Sequence, residues 1–292
     1  MIIASAGGLS AGHAGGKFGF REAASDFGEV IAHEDVDAVI IATRHNLHAE
    51  QAAAALDAGK HVFVEKPLAL SRDELDKVRA AHEAAGRVLM VGFNRRFSPH
   101  ALAAKALFAG LKRPLSINYR VNAGVVPKES WIQDSAVGGG RVLGELCHFL
   151  DLAAFFAGSP PASVYAVRAG GPSALAEDAD SVAVTLSFEN GSLAVISYVS
   201  SGDASFSKER IEIHGAGKSA VIEDFRRTVL SENGQRKTLK TSQDKGHRRE
   251  VAAFVDGVLE GKAPLEFDEL VASTLATFAV AESLSRGRRV DF

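Results

Sequence analysis

Two short stretches of this chain hold side chains able to do chemistry. The first, His61-Val62-Phe63-Val64-Glu65-Lys66-Pro67, is an apolar strand ending on a carboxylate and an ammonium. Proline has no N–H for a sheet and biases the preceding residue away from helix, so Lys66 is expected at the carboxyl edge of a strand. Open parallel sheets bind ligands at that edge. A solvated lysine at an ordinary strand end has the same local sequence. The second stretch carries Glu145, Cys147, His148 and Asp151 after Gly138-Gly139-Gly140. Glu145, His148 and Asp151 are spaced like candidate metal ligands, but three such groups along one helix face rarely converge on one ion, so no metal is expected. Cys147 points away from its neighbour His148 on a helix and is expected as a small buried thiol, not a nucleophile. The three glycines are expected to allow close backbone approach to a substrate more than to cradle a phosphate.

These residues are carried by two kinds of chain. Up to Phe97, short apolar runs alternate with Ala-rich helical patterns, the signature of βαβ units. Met1 to Ser5, Ala38 to Ala42, Val62 to Val64 and Val88 to Val91 read as parallel strands, and the all-apolar Ala38 to Ala42 run is of the kind buried on both faces. His48 to Ala58 and Ser71 to Ala85 read as helices, the second opened by a Ser71/Glu74 capping box. Beyond Phe97 the strands lengthen: Leu115 to Asn122, Ser163 to Arg168, Ser181 to Phe188, Ser192 to Ser200 and Arg210 to His214, with an Asn190-Gly191 hairpin turn. Helices are expected from Arg141 to Phe156, His247 to Leu259 and Phe267 to Leu284. The expected fold class is therefore α/β, a Rossmann-like domain over 1–97 followed by an α+β domain over 98–292 built on a large mixed or antiparallel sheet.

Composition narrows the partners. A chain of 292 residues with 46% hydrophobic residues can bury two cores. A net charge of −3 gives no footprint for nucleic acid or an anionic membrane, and no ~20-residue apolar span is present. The one cysteine excludes an internal disulfide framework. A cytoplasmic protein acting on a small molecule is expected.

The opening is unusual for a dinucleotide-binding fold, which begins with a strand, a Gly-rich turn and a helix whose N-terminus holds the pyrophosphate. Ala6 to Gly12 is Gly-rich but lacks the G-x-G-x-x-G spacing. It is expected as a loop after the second strand, followed by a helix ending near Phe18, so the parallel sheet is expected to be N-terminally truncated.

Four motifs in order carry a family resemblance: Ala38 to Ala42 running into Thr43-Arg44-His45-Asn46-Leu47-His48; Glu65-Lys66-Pro67; Val91-Gly92-Phe93-Asn94-Arg95-Arg96-Phe97; and Gly138-Gly139-Gly140 with His148 and Asp151. Together they resemble the Gfo/Idh/MocA oxidoreductases, in particular the module that forms the C-terminal part of proteins with a zinc-type alcohol dehydrogenase module in front. The resemblance implies NAD or NADP as cofactor and reversible hydride transfer between a sugar-like or polyol-derived alcohol and a ketone. It implies Lys66 as the lysine contacting cofactor and substrate hydroxyl, and His148 as the acid/base. Hydride loss from an alcohol carbon requires a proton to leave the oxygen, which imidazole is suited to receive while an ammonium stabilises alkoxide character. By the same resemblance Ser5, Thr43, Arg44, His48, Glu65, Lys66 and Asn94 are expected around the cofactor. Arg96, Trp131, Glu145 and His148 are expected around the substrate, with Trp131 equally readable as packing a loop, in a homo-oligomer.

Three departures from the family pattern matter. Gly144 stands where an acidic residue often precedes the histidine by one turn, and Glu145 is the nearest substitute. Ser5 stands where an aspartate often binds the ribose, and Arg44-His45 replaces the usual Pro-Asn. The alternative to an enzyme is a catalytically silent binding or structural module that has lost its phosphate-binding unit.

Overall fold

The apolar runs of the first hundred residues form parallel strands joined by helices. The computed structural model describes residues 1–6, 8–170 and 180–292, so Gly7 of the Gly-rich stretch lies outside the described residues. β1 (Ile2–Ala4) leads into α1 (Gly8–Phe18), β2 (Glu22–Ala24) and α2 (Phe27–Ala32). Then come β3 (Ala38–Ile41), α3 (His48–Asp57), β4 (His61–Val64), α4 (Arg72–Ala85) and β5 (Leu89–Val91). β1 pairs in parallel with β2, while β3, β4 and β5 form a separate parallel sheet. Among the described residues no strand pairs between β1 and β3, so the Rossmann-like sheet is divided there. The expectation that β3 is covered on both faces is corrected: Val39 and Ile41 are buried, but Ile40 is 61% exposed.

Local chemistry explains the helix that follows the Lys66 turn. Ser71 Oγ accepts from the Glu74 N–H at 3.2 Å, and the Glu74 carboxylate accepts from the Leu70 N–H at 2.7 Å. The reciprocal bond thus reaches one residue further back than in a standard capping box. Leu68, Leu75 and Val78 are then buried against β4 and α3, which holds the turn containing Lys66 on a packed base.

The second unit is a nine-stranded mixed sheet in the order β13-β12-β11-β10-β6-β9-β8-β7-β14. Its strands are β6 (Ser116–Asn122), β7 (Pro161–Arg168), β8 (Val182–Phe188), β9 (Leu193–Val199), β10 (Glu209–Gly215), β11 (Lys218–Glu223), β12 (Arg227–Glu232), β13 (Gln235–Lys240) and β14 (Val290–Asp291). β6 and β9 pair in parallel and the other pairs are antiparallel. α5 (Pro99–Leu107), α6 (Cys147–Ala157) and α8 (Phe267–Arg286) bury Ala101, Phe149, Phe156 and Val280 against one face. On the other face Tyr165, Val167 and Val195 are exposed. α7 (His247–Glu260) packs Phe254 beside Phe63 and Met90 of the parallel sheet.

The two units are joined by a short 3₁₀ turn, Asn94–Phe97, directly after β5. Arg95 donates from Nε and Nη2 to Glu209 at 2.8 and 3.0 Å. Arg96 donates from Nε and Nη2 to Asp151, both at 2.7 Å, and from Nη1 to Glu269. Arg95, Arg96, Glu209 and Asp151 are all buried. Arg96, expected as a substrate contact, is thereby corrected: its guanidinium is committed to α6 and α8. Removing one member of a buried pair strands the other charge in a low dielectric, whereas an exposed pair contributes little. Urea unfolding of Arg96→Met is expected to show a loss of about 3–5 kcal/mol, and Arg210→Ala, from a half-exposed pair with Glu223, a loss below about 1 kcal/mol.

Candidate active site

The carboxyl ends of β4 and β5 face the start of α6 across a cavity of about 420 Å³. Lys66 reaches it from the turn after β4, and its Nζ donates to the Gly144 carbonyl at 2.8 Å. Among the described residues no carboxylate pairs with Lys66, so its remaining donors are available to a ligand. His148 reaches it from the first turn of α6. Its Nδ1 is buried and unpartnered, which leaves Nε2 as the nitrogen open to the cavity. Burial, reinforced by Arg95 and Lys66, drives its pKa well below the usual histidine value. The ring is therefore a neutral base at neutral pH.

Residues 142–146 form one π-helical turn, Val142–Leu146, ahead of α6. The turn carries both Gly144 and Glu145. Glu145 accepts from Tyr198 Oη at 2.6 Å and Lys208 Nζ at 2.9 Å, and Arg141 Nη2 lies 3.1 Å away without an aligned hydrogen bond. Burial pushes its pKa up, but Lys208, Tyr198 and Arg141 outweigh this and hold it below the usual carboxylate value.

Gly144 and His45 explain each other. A Cβ at position 144 would lie 2.9 Å from His45 Cε1 and 3.0 Å from the Gly138 carbonyl. His45 Nδ1 donates to that same carbonyl at 2.7 Å, and burial above all lowers its pKa to about 4. A neutral imidazole thus fills the space that an acidic side chain at 144 would take. Gly138 itself lies against the backbone of Trp131 and Ile132, and Gly139 and Gly140 have φ of 72° and 70°. The glycines make a close backbone turn whose neighbours are the protein's own chain, where approach to a substrate was expected.

The other expected residues divide. Asn94 lines the cavity and donates from Nδ2 to the Lys245 carbonyl at 2.8 Å. Glu65 lies over Gly92, 3.0 Å from where a Cβ would stand. Thr43 Oγ1 donates to Gln51 at 2.8 Å, Arg44 is exposed, and the Ser5 hydroxyl bonds that of Ser10 at 2.7 Å beyond β1. His48 is corrected from cofactor contact to structural support: it is fully buried, with its ring nitrogens 2.8 and 3.1 Å from the Pro67 and Thr43 carbonyls. Trp131 packs edge-on against His45 at 4.8 Å and does not line the cavity, while Ile132 does. The sequence reading missed Arg141, Lys208, Lys245 and His247, which also line it. They come from loops and element starts that nothing in the local sequence links to one another.

The residues 3–93 match the model of the oxidoreductase family, NAD-binding Rossmann fold, and residues 105–290 match that of the oxidoreductase family, C-terminal alpha/beta domain. The chain belongs to the Gfo/Idh/MocA oxidoreductase family. Inositol 2-dehydrogenase of Rhizobium meliloti (strain 1021) is 32% identical over 282 residues, 89% of this chain and 82% of that protein. The uncharacterized oxidoreductase YrbE of Bacillus subtilis (strain 168) is 34% identical over 214 residues, 70% of this chain. The match spans less than two thirds, 61%, of that relative's length. The solved structure of a levoglucosan dehydrogenase in complex with NADH and levoglucosan superposes with a TM-score of 0.85 at 25% identity, covering 99% of this chain and 89% of the other.

The residues present fit the NAD that the family model describes. Asn46 Oδ1, after β3, is a buried acceptor without a partner, of the kind a carboxamide N–H satisfies. The linked hydroxyls of Ser5 and Ser10 are suited to ribose hydroxyls. If His45 and Gly144 are complementary, their substitutions must couple. Gly144→Ala is expected to cost about 1–3 kcal/mol by overpacking, and His45→Ala in the same chain is expected to recover part of that cost in urea unfolding.

Proposed function

We propose that this chain is an NAD-dependent dehydrogenase that interconverts a secondary alcohol and a ketone on a sugar or polyol. The observation that carries this reading is the convergence of Lys66 and His148, neither ion-paired to a carboxylate, on one cavity at the carboxyl edge of the parallel sheet. The inositol and levoglucosan dehydrogenases among its relatives support the substrate class. The cofactor, when bound, accepts or returns the hydride.

The chain's own residues handle the proton and the charge. His148 Nε2 takes the hydroxyl proton, and its depressed pKa keeps the ring unprotonated across the neutral range. Lys66, fixed by the Gly144 carbonyl, directs its remaining N–H groups at the substrate oxygen and stabilises its alkoxide character. Glu145 does not serve as the base, because Lys208, Tyr198 and Arg141 hold it ionised and committed. Its part is to orient Tyr198 and Lys208 at the rim.

A silent binding module is the second reading, and the absence of pairing between β1 and β3 favours it. Calorimetry with NADH, followed by turnover of myo-inositol and levoglucosan with NAD⁺, separates the two. The dehydrogenase reading predicts NADH binding and turnover, with kcat lowered by about 10²–10⁴-fold in His148→Asn and in Lys66→Met. The acid limb of kcat/KM is expected below the ordinary histidine pKa, following the direction of the His148 shift. NADH binding without turnover of any polyol or sugar would support the silent module.

A further inference from the structure

The cavity carries more positive charge than an alcohol oxidation on a neutral sugar requires. Lys66, Arg95, Arg141, Lys208 and Lys245 line it, against one lining carboxylate, Glu145. A second carboxylate, Glu209, lies beneath it. Each acid is met by one arginine and one lysine. Glu145 has Arg141 at 3.1 Å and Lys208 at 2.9 Å; Glu209 has Arg95 at 2.8 Å and Lys245 at 2.6 Å. In both sets the arginine is the buried partner, its side chain 2% or 8% exposed, and the lysine the more exposed one, at 38% and 18%. Each acid thus faces two cations, so each set keeps a net positive charge, and the lysine is the partner nearer to solvent in the cavity.

Glu65, next to Lys66 and over Gly92, is a third carboxylate near the site and offsets only part of that excess. Glu250, close behind the site with an unpartnered Oε1, is pushed up to about 9 by burial, Glu65 and Asp151, and is uncharged at neutral pH. NAD does not account for the surplus either, because dinucleotide phosphates bind at Gly-rich turns and helix N-termini of the Rossmann unit. Lys208 and Lys245 instead come from the segments entering β10 and α7. Like charges held in a cleft with low-dielectric walls focus the field and repel one another, and an anionic ligand relieves that cost.

We infer that the substrate bears an anionic group, a carboxylate or a phosphate ester, held by Lys208 and Lys245 while its reacting hydroxyl lies at Lys66 and His148. The substrate class is thus an acidic sugar or polyol, a uronate, aldonate or sugar phosphate. This inference rests on the dehydrogenase reading for the chemistry, but the anion site can be read without turnover.

Three ligands with one ring test it: glucose, glucuronate and glucose 6-phosphate, titrated by calorimetry into the full chain with and without NADH. At least one of the two anions is expected to bind about tenfold or more tightly than glucose, and the tighter one identifies the carboxylate or the phosphate as the source of charge. Lys208→Gln, which leaves Glu145 with Arg141 and Tyr198, is expected to shrink that ratio severalfold, as is raising salt from roughly 50 to 500 mM. Lys237→Gln, on exposed β13, should leave the ratio unchanged. Glucose binding as tightly as both anions, or an unchanged ratio in Lys208→Gln and Lys245→Gln, would overturn the inference. Failure of NADH to bind would instead count against the dehydrogenase reading, and the titrations without cofactor would still decide the anion site.

Discussion

Two adjacent buried arginines fix how this molecule is put together. Arg95 and Arg96 leave β5 on a 3₁₀ turn and point in different directions, one to Glu209 at the start of β10 and the other to Asp151 on α6. Each makes a two-pronged bond whose planar geometry tolerates little displacement. Arg95 also lies 5.1 Å over the Phe149 ring and Arg96 5.6 Å over Phe155, so both guanidiniums are seated on α6 by stacking as well as by charge. Asp151 is three residues after His148 on that helix. Fixing one therefore sets where the imidazole stands relative to Lys66 across the cavity.

The remaining geometry follows from close backbone contacts. Gly138 turns against Ile132 and presents its carbonyl to His45; His45 then fills the volume beside Gly144; and Gly144 gives its carbonyl to Lys66. The two departures from the family pattern, a histidine at 45 and a glycine at 144, are one packing solution. The neighbouring carboxylate, Glu145 in the π-helical turn, faces Tyr198 and Lys208 and not Lys66.

Much of this was legible in the sequence, and the limits have physical causes. The place of Lys66 at a strand end could be read because proline restricts the backbone before it, whereas His148 is singled out by the family resemblance. The strands over 116–122, 161–168, 182–188 and 193–199 alternate strongly and are found close to where the pattern put them. β13 escaped notice because Gln235–Lys240 carries charged and polar residues on both faces at the sheet edge, and β11 and β12 beside it because Lys218–Glu223 and Arg227–Glu232 are short and bounded by charged residues. α5 escaped because it is a short Ala-rich helix, whose start is marked by Ser98 and Pro99. Arg95 and Arg96 look alike in sequence, and only the direction of a 3₁₀ turn makes one a cavity residue and the other a tie between helices. Lys208 and Lys245 meet through the fold of the mixed sheet, which local sequence does not encode.

The central claim is that Lys66 and His148 bring an alcohol carbon to hydride transfer with NAD⁺, and the movement of a label tests it most directly. The chain would be incubated with NAD⁺ and carbon-deuterated myo-inositol, levoglucosan or glucuronate, and the recovered nicotinamide nucleotide analysed by mass spectrometry. The account predicts reduced cofactor carrying deuterium from at least one of the three. Cofactor that binds the chain and is recovered oxidised and unlabelled from all three would contradict it.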